Sequence, residues 1–201
     1  KDAPFGAFCA GGDIRFFHQA ALAGDPRLED FFTEEYALNH LIHTYPKPYI
    51  AFMDGIVMGG GMGISQGASL RVVTQRTRMA MPETGIGLFP DVGGGFFLSR
   101  CPGRVGEWLA LTGQAIEAGD AVAFGLADGC MDAGRLNALW ADLQSTPFET
   151  GNAVEHMVST KFTTTQAVHK SARSQIDAVF SLGDVSSMVK ALELDASEFA
   201  Q

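Results

Sequence analysis

Two carboxylates stand in one apolar, glycine-rich run, Met81-Pro82-Glu83-Thr84-Gly85-Ile86-Gly87-Leu88-Phe89-Pro90-Asp91-Val92-Gly93-Gly94-Gly95, which contains no Lys or Arg. A carboxylate removed from water with no cation beside it holds its proton more tightly, which suits it to act as acid, base or nucleophile. Glycine lets backbone N–H groups approach a ligand closely. Further donors of this kind lie in Gly59-Gly60-Gly61-Met62-Gly63 and in Cys9-Ala10-Gly11-Gly12-Asp13. Carboxylates together with backbone donors are the ingredients of acyl chemistry, where a developing oxyanion must be stabilised. Each group also has an ordinary reading. Glu83 and Asp91 could be solvated loop residues, Asp91 could cap a helix, and the triglycine could serve tight helix–sheet packing.

Other patterns carry less. Gly63-Ile64-Ser65-Gln66-Gly67 matches G-x-S-x-G, the nucleophile-elbow signature. An elbow needs its serine on a strained turn directly after a strand. The strand here ends near Asp54, so Ser65 is expected inside the following helix and the match is read as a decoy. The triglycine fits neither G-x-G-x-x-G nor the Walker A pattern. His40 and His43 are three residues apart on one expected helix, but there is no H-E-x-x-H, so no metal site is expected. The aromatic positions Phe31, Phe32, Phe96 and Phe97 read as core. His156 and His169 have no motif around them.

The elements that must position these residues can be read from periodicity. Residues 6–10 form a short strand that runs into Gly11 and Gly12. Apolar positions from Leu28 to Tyr45 recur at helical spacing and stop before Pro46-Lys47-Pro48. A strand at 49–53 leads into a glycine turn over 55–67 that opens a closely packed helix, where free amides favour negative charge. Strands at 70–74 and 78–81 follow, the second delivering the Glu83–Asp91 loop. Helices are expected at 96–100, 104–112 and 118–124, then a strand within 126–132. From about 133 to 199 the pattern is helical, broken at Pro147, Gly151 and Gly183-Asp184. Alternating strands and helices followed by a helical tail indicate an α/β core, with a boundary near 133–150.

Bulk properties narrow the class. The 201 residues are 46% hydrophobic and 18% charged, enough for a sizeable core, and the net charge of −9 argues against nucleic acid as a partner. The three cysteines, Cys9, Cys101 and Cys130, form no C-x-x-C pair, which suits a reducing compartment. No apolar run reaches the roughly 18–20 residues of a membrane span. Residues 1–4 are polar and no long apolar core follows them, so no signal peptide is expected.

Taken together, Phe8-Cys9-Ala10-Gly11-Gly12-Asp13-Ile14, Asp54-Gly55-Ile56-Val57-Met58-Gly59-Gly60-Gly61 and Met81-Pro82-Glu83 with Gly87 to Gly95 resemble the crotonase (enoyl-CoA hydratase/isomerase) superfamily. Within it they look most like the hydrolases of 3-hydroxyisobutyryl-CoA. The resemblance implies a spiral of ββα turns with a helical C-terminal region. It divides the chain into an acyl-CoA-binding core over 1–132, lacking the family's first turn, and a helical part over 133–201. It also implies that family segments upstream and downstream are missing.

By motif position, Gly12 and Gly60 would donate the oxyanion-hole N–H groups, and the Ala10 carbonyl would face the adenine of CoA. Glu83 would be the principal catalytic carboxylate and Asp91 a second acid found in the hydrolases. Glu35 would contact substrate. Gly63 stands where hydratases carry a second catalytic glutamate. The implied activity is thioester hydrolysis in valine breakdown, with no cofactor beyond the CoA of the substrate. No metal or membrane is implied, self-association is left open, and the setting is a bacterial cytoplasm or the mitochondrial matrix. Three competitors remain: a hydratase or isomerase of the same fold, a serine hydrolase using Ser65, and a catalytically incomplete acyl-CoA binder.

Overall fold

Strand side chains alternate between two faces, and β4 (Leu70–Thr74) shows what that does here. In the computed structural model, which describes residues 6–200, Val73 packs into the main core while Leu70 and Val72 pack into a second cluster on the opposite face. Both faces of the strand are therefore covered, the usual condition of a parallel strand. Residues 1–5, including the stretch read above for a leader, lie outside the described residues.

The first half of the chain runs β1 (Ala7–Cys9), α1 (Ile14–Ala23), α2 (Arg27–His43), β2 (Ile50–Met53), β3 (Ile56–Met58) and α3 (Gly60–Gln66), then β4 and β5 (Arg78–Ala80). A 3-10 turn, Glu83–Ile86, follows. After it come α4 (Gly94–Leu98), α5 (Val105–Thr112), β6 (Ile116–Glu117), α6 (Ala118–Ala123) and β7 (Gly129–Met131). The tail holds α7 (Leu136–Ser145), α8 (Gly151–Ser159), α9 (Arg173–Phe180) and α10 (Val185–Leu194).

One sheet has strand order β1-β3-β5-β6 and the other β2-β4-β7. All pairs are parallel except β5 with β6, where Met79 stands opposite Ile116. β2 lies in register with β4 from Ile50↔Leu70 to Met53↔Val73. The outer face of the second sheet is covered by Leu139 of α7 and Val158 of α8. Ile176, Val179 and Phe180 of α9 enter the main core beside Val105, Trp108 and Leu109 of α5.

Three expectations need correction. The stretch over 55–59 is not only a turn: Ile56–Met58 is a strand held between β1 and β5. Its flanking glycines, Gly55 and Gly59, have φ of +85° and +53°, a backbone conformation that favours glycine. Asp91 caps no helix, because α4 begins at Gly93-Gly94 without a side-chain cap. Among the four aromatic positions only Phe97 is core. Phe96 is 49% exposed under the Arg100 guanidinium, and Phe31 and Phe32 are partly buried in a cluster with Phe17.

Candidate functional site

The glycine loops before α1 and α3 meet. Gly11 and Gly59 both have positive φ, +89° and +53°, so each chain turns sharply ahead of Gly12 and Gly60. A Cβ on Gly60 would come within 3.5 Å of the Gly11 Cα, and one on Gly61 would collide with the Cys9 carbonyl. Only bare backbone lets the two loops approach this closely. Gly60 opens α3, so its N–H lies among those that a helix leaves without an intrahelical acceptor. Gly12 N–H has no backbone acceptor among the described residues either.

Three carboxylates converge on this junction. β5 and Pro82 carry Glu83 into the protein on the 3-10 turn, where it is 7% exposed. Its Oε1 lies 2.8 Å from where a Cβ of Gly59 would be. Its Oε2 is buried with no hydrogen-bond partner among the described residues. α2 supplies Glu35, whose Oε1 lies 2.5 Å from the corresponding point at Gly60. The loop after the 3-10 turn supplies Asp91, whose Oδ2 accepts a hydrogen bond of 2.8 Å from the Tyr36 hydroxyl.

Ala10, Gly12, Glu35, Gly60, Glu83 and Asp91 all line one cavity of about 160 Å³, and among the described residues no Lys or Arg lines it. Burial pushes the Glu83 carboxyl above its ordinary pKa, and the nearby charges of Asp91 and Glu35 push the same way, against its own backbone N–H. Burial, then Asp91, raises Glu35 likewise. Tyr36 is raised by burial and by its bond to Asp91, which keeps it a hydrogen-bond donor at neutral pH. The arrangement places carboxyls of raised pKa and free backbone donors around a small space, which suits addition to a carbonyl.

Ser65 lies inside α3, fully buried, and its hydroxyl donates to the carbonyls of Gly61 and Met62 at 2.8 and 3.2 Å. It stands on no strained turn and is spent on its own helix. Among the described residues no cluster of three or more His, Cys, Asp or Glu could hold a metal ion. No helix of the described residues is long and apolar enough to cross a membrane.

Sequence reasoning missed four residues. Asn39 lies one turn beyond Glu35 on α2, a relation that helical geometry would have exposed once Glu35 was chosen, whereas Tyr36, the next residue, joins the site only through its bond to Asp91. Asn39 lines an apolar groove of about 460 Å³ that adjoins the cavity and shares Asp91 and Val92 with it. The other two, Asp120 and His169, form a pair 49 residues apart that no local motif signals. The fully buried Asp120 accepts the His169 backbone N–H and contacts Nδ1, both at 2.8 Å, and so pins the tail to α6.

Comparison with known proteins bears on the family and the fold. The family model described as enoyl-CoA hydratase/isomerase matches residues 2–201. Among curated relatives, the mitochondrial 3-hydroxyisobutyryl-CoA hydrolase of Xenopus tropicalis is 42% identical over 96% of this chain and 52% of the relative. The human protein of the same name is 38% identical over the same shares. Two solved structures superpose at a TM-score of 0.84: a carnitinyl-CoA dehydratase from Mycobacterium thermoresistibile, 36% identical, and an enoyl-CoA hydratase from Rhodobacter sphaeroides, 35% identical. Each superposition covers 96% of this chain and 55% of the other. The chain spans about half the length of the curated relatives it matches.

Proposed function

The chain belongs to the enoyl-CoA hydratase/isomerase family, with the crotonase fold, and we propose that its site hydrolyses a short 3-hydroxyacyl-CoA thioester. The substrate that fits best is 3-hydroxyisobutyryl-CoA, an intermediate of valine breakdown. The observation that carries the reading is the convergence of Glu83, Glu35, Asp91 and the free N–H groups of Gly12 and Gly60 on one cavity that no Lys or Arg lines among the described residues. The names of the curated relatives support it.

In this mechanism the thioester oxygen sits between the Gly12 and Gly60 N–H groups, with the Ala10 carbonyl toward the CoA adenine. Glu83 either adds to the carbonyl carbon or removes a proton from the water that does. The C–S bond then breaks and the thiolate leaves with a proton as free CoA; where Glu83 itself has added, water then cleaves the resulting anhydride, so that on either route the acyl group leaves as a carboxylic acid and Glu83 is regenerated. Asp91, oriented by Tyr36, holds the 3-hydroxyl or assists proton transfer. Glu35 contacts the substrate from α2. No cofactor is needed beyond the CoA that the substrate carries, and the mitochondrial names of the relatives make the matrix the favoured setting.

Hydration is the second reading, because the two superposed structures are named as a dehydratase and a hydratase. It would need another carboxylate one turn along α3, at Gly63. A Cβ there would come within 2.6 Å of the Val92 Cβ and 3.0 Å of the Asn39 Oδ1. The deciding experiment uses the protein at its natural length. Thiol release from 3-hydroxyisobutyryl-CoA and hydration of crotonyl-CoA are followed side by side. Release should dominate, and Glu83→Gln should lower it by about 10²–10⁴. Faster hydration than release would transfer the site to the hydratases. Neither reaction, with CoA binding intact, would leave an acyl-CoA binder.

A further inference from the structure

Asn39 is the unexplained polar group beside this site. Its Nδ2 and Oδ1 are both buried, and neither has a hydrogen-bond partner among the described residues. Around it the groove wall is largely apolar, with Phe89, Pro90, Val92 and Phe97. A buried amide with no partner costs stability, so its presence calls for a ligand that supplies one.

Position tells which ligand group that is. Glu35 and Asn39 are four residues apart on α2 and so share a face, one turn apart. Their oxygens meet α3 at Gly60 and Gly63, again one turn apart. Glu35 stands at the donor that holds the thioester oxygen in the hydrolase reading. Asn39 stands a turn of about 5.4 Å beyond it. Three bonds of about 1.5 Å separate a thioester carbon from a hydroxyl oxygen on the third acyl carbon, a span of the same order. Asp91 and Val92 line both the cavity and the groove. Val92 keeps a positive φ of 43°, unusual for a β-branched residue and a local strain at the junction.

We infer that Asn39 is a specificity-determining residue that recognises the hydroxyl of the acyl group at the junction of cavity and groove. The hydroxyl donates to Asp91, which as a carboxylate can only accept, and accepts from Asn39 Nδ2. An acyl group without the hydroxyl leaves Asn39 unpaired and Asp91 with its Tyr36 bond alone. The inference rests on the hydrolase reading for its substrate, and it deepens that reading by naming the residue that rejects unsubstituted acyl-CoA.

The test compares kcat/KM for 3-hydroxyisobutyryl-CoA and isobutyryl-CoA in wild type and in Asn39→Leu, at natural length. Wild type should prefer the hydroxylated thioester. Asn39→Leu should cut that preference about tenfold or more, through the hydroxylated substrate, with isobutyryl-CoA unchanged or improved. A merely structural Asn39 would lower both substrates equally, and that result, or an unchanged ratio in a folded variant, overturns the inference. Should Asn39→Leu fail to fold, Asn39→Ala gives the same ratio. If wild type releases no thiol from either thioester, the hydrolase reading fails alone. The Kd ratio of two non-hydrolysable CoA thioethers, with and without the hydroxyl, then reads Asn39. No hydroxyl preference in that ratio, or one that Asn39→Leu leaves intact, overturns it.

Discussion

Glu83 shows what burying a carboxylate costs. It is 7% exposed, one oxygen has no partner among the described residues, and its negative neighbours Glu35 and Asp91 favour the protonated form. A group whose folded pKa is raised binds protons more tightly in the folded state. Its favourable contribution is complete below the unfolded value and is lost as pH rises through the folded value. Glu83→Gln should therefore raise the melting temperature by a few degrees at pH 8 and change it little at pH 4, where the wild-type carboxyl is itself protonated. A larger gain at pH 4 than at pH 8 would contradict the burial argument. The same shift bears on rate: if the ionised form acts, the acid limb of kcat/KM should lie above the ~4.3 of a free glutamate, and a limb at or below it would mean another group sets it. Glu83 and Asp91 were legible in the sequence because an apolar, cation-free run is itself an electrostatic statement. Asn39 was not, since its meaning depends on what surrounds it in space.

α3 and the loop of β1 form one unit whose separation is set by glycine. Gly61 backs directly onto the Cys9 carbonyl, so Gly61→Ala must push α3 away from the Gly11-Gly12 loop. Overpacking of this kind costs about 1–3 kcal/mol. It would also separate the two N–H donors, so activity should fall further than stability does. Thiol release and chemical denaturation on the same preparation check this, and wild-type values in both would show that the loops do not need their present spacing. The short elements here explain what sequence reading could and could not reach. α2, β2, β4 and α5 stand out because each has enough residues to display a period. β3 is three residues between two glycines and reads as a turn, and β6 is only two residues, defined by its pairing with β5. α1 was overlooked although Asp13 caps its start and Gly24 its end, a signature that the chemistry-bearing glycines nearby obscured.

At the scale of the whole molecule, the tail and the α/β core share buried surface. Ile176, Val179 and Phe180 of α9 are 0%, 7% and 4% exposed within the same cluster as Val105, Trp108 and Leu109. Asp120 holds the tail by a second route, through the backbone and ring of His169. The composition and the helical pattern after residue 133 announced a tail. They could not announce its docking, because apolar residues on a helix mark which face is buried but not against what. The docking has a size. Burying three such side chains is worth about 1.5–3 kcal/mol each, so their loss removes roughly 5–9 kcal/mol as an upper bound. That is comparable to the entire stability of an ordinary domain, about 5–15 kcal/mol. Residues 1–132 expressed alone should therefore lack a cooperative thermal transition and be cut rapidly by protease, whereas the 201-residue chain should melt in one step by circular dichroism. A cooperative melt of 1–132 near the temperature of the whole chain would mean that the core stands without the helices that follow it, and the surface beneath α9 would then have to be stable in water.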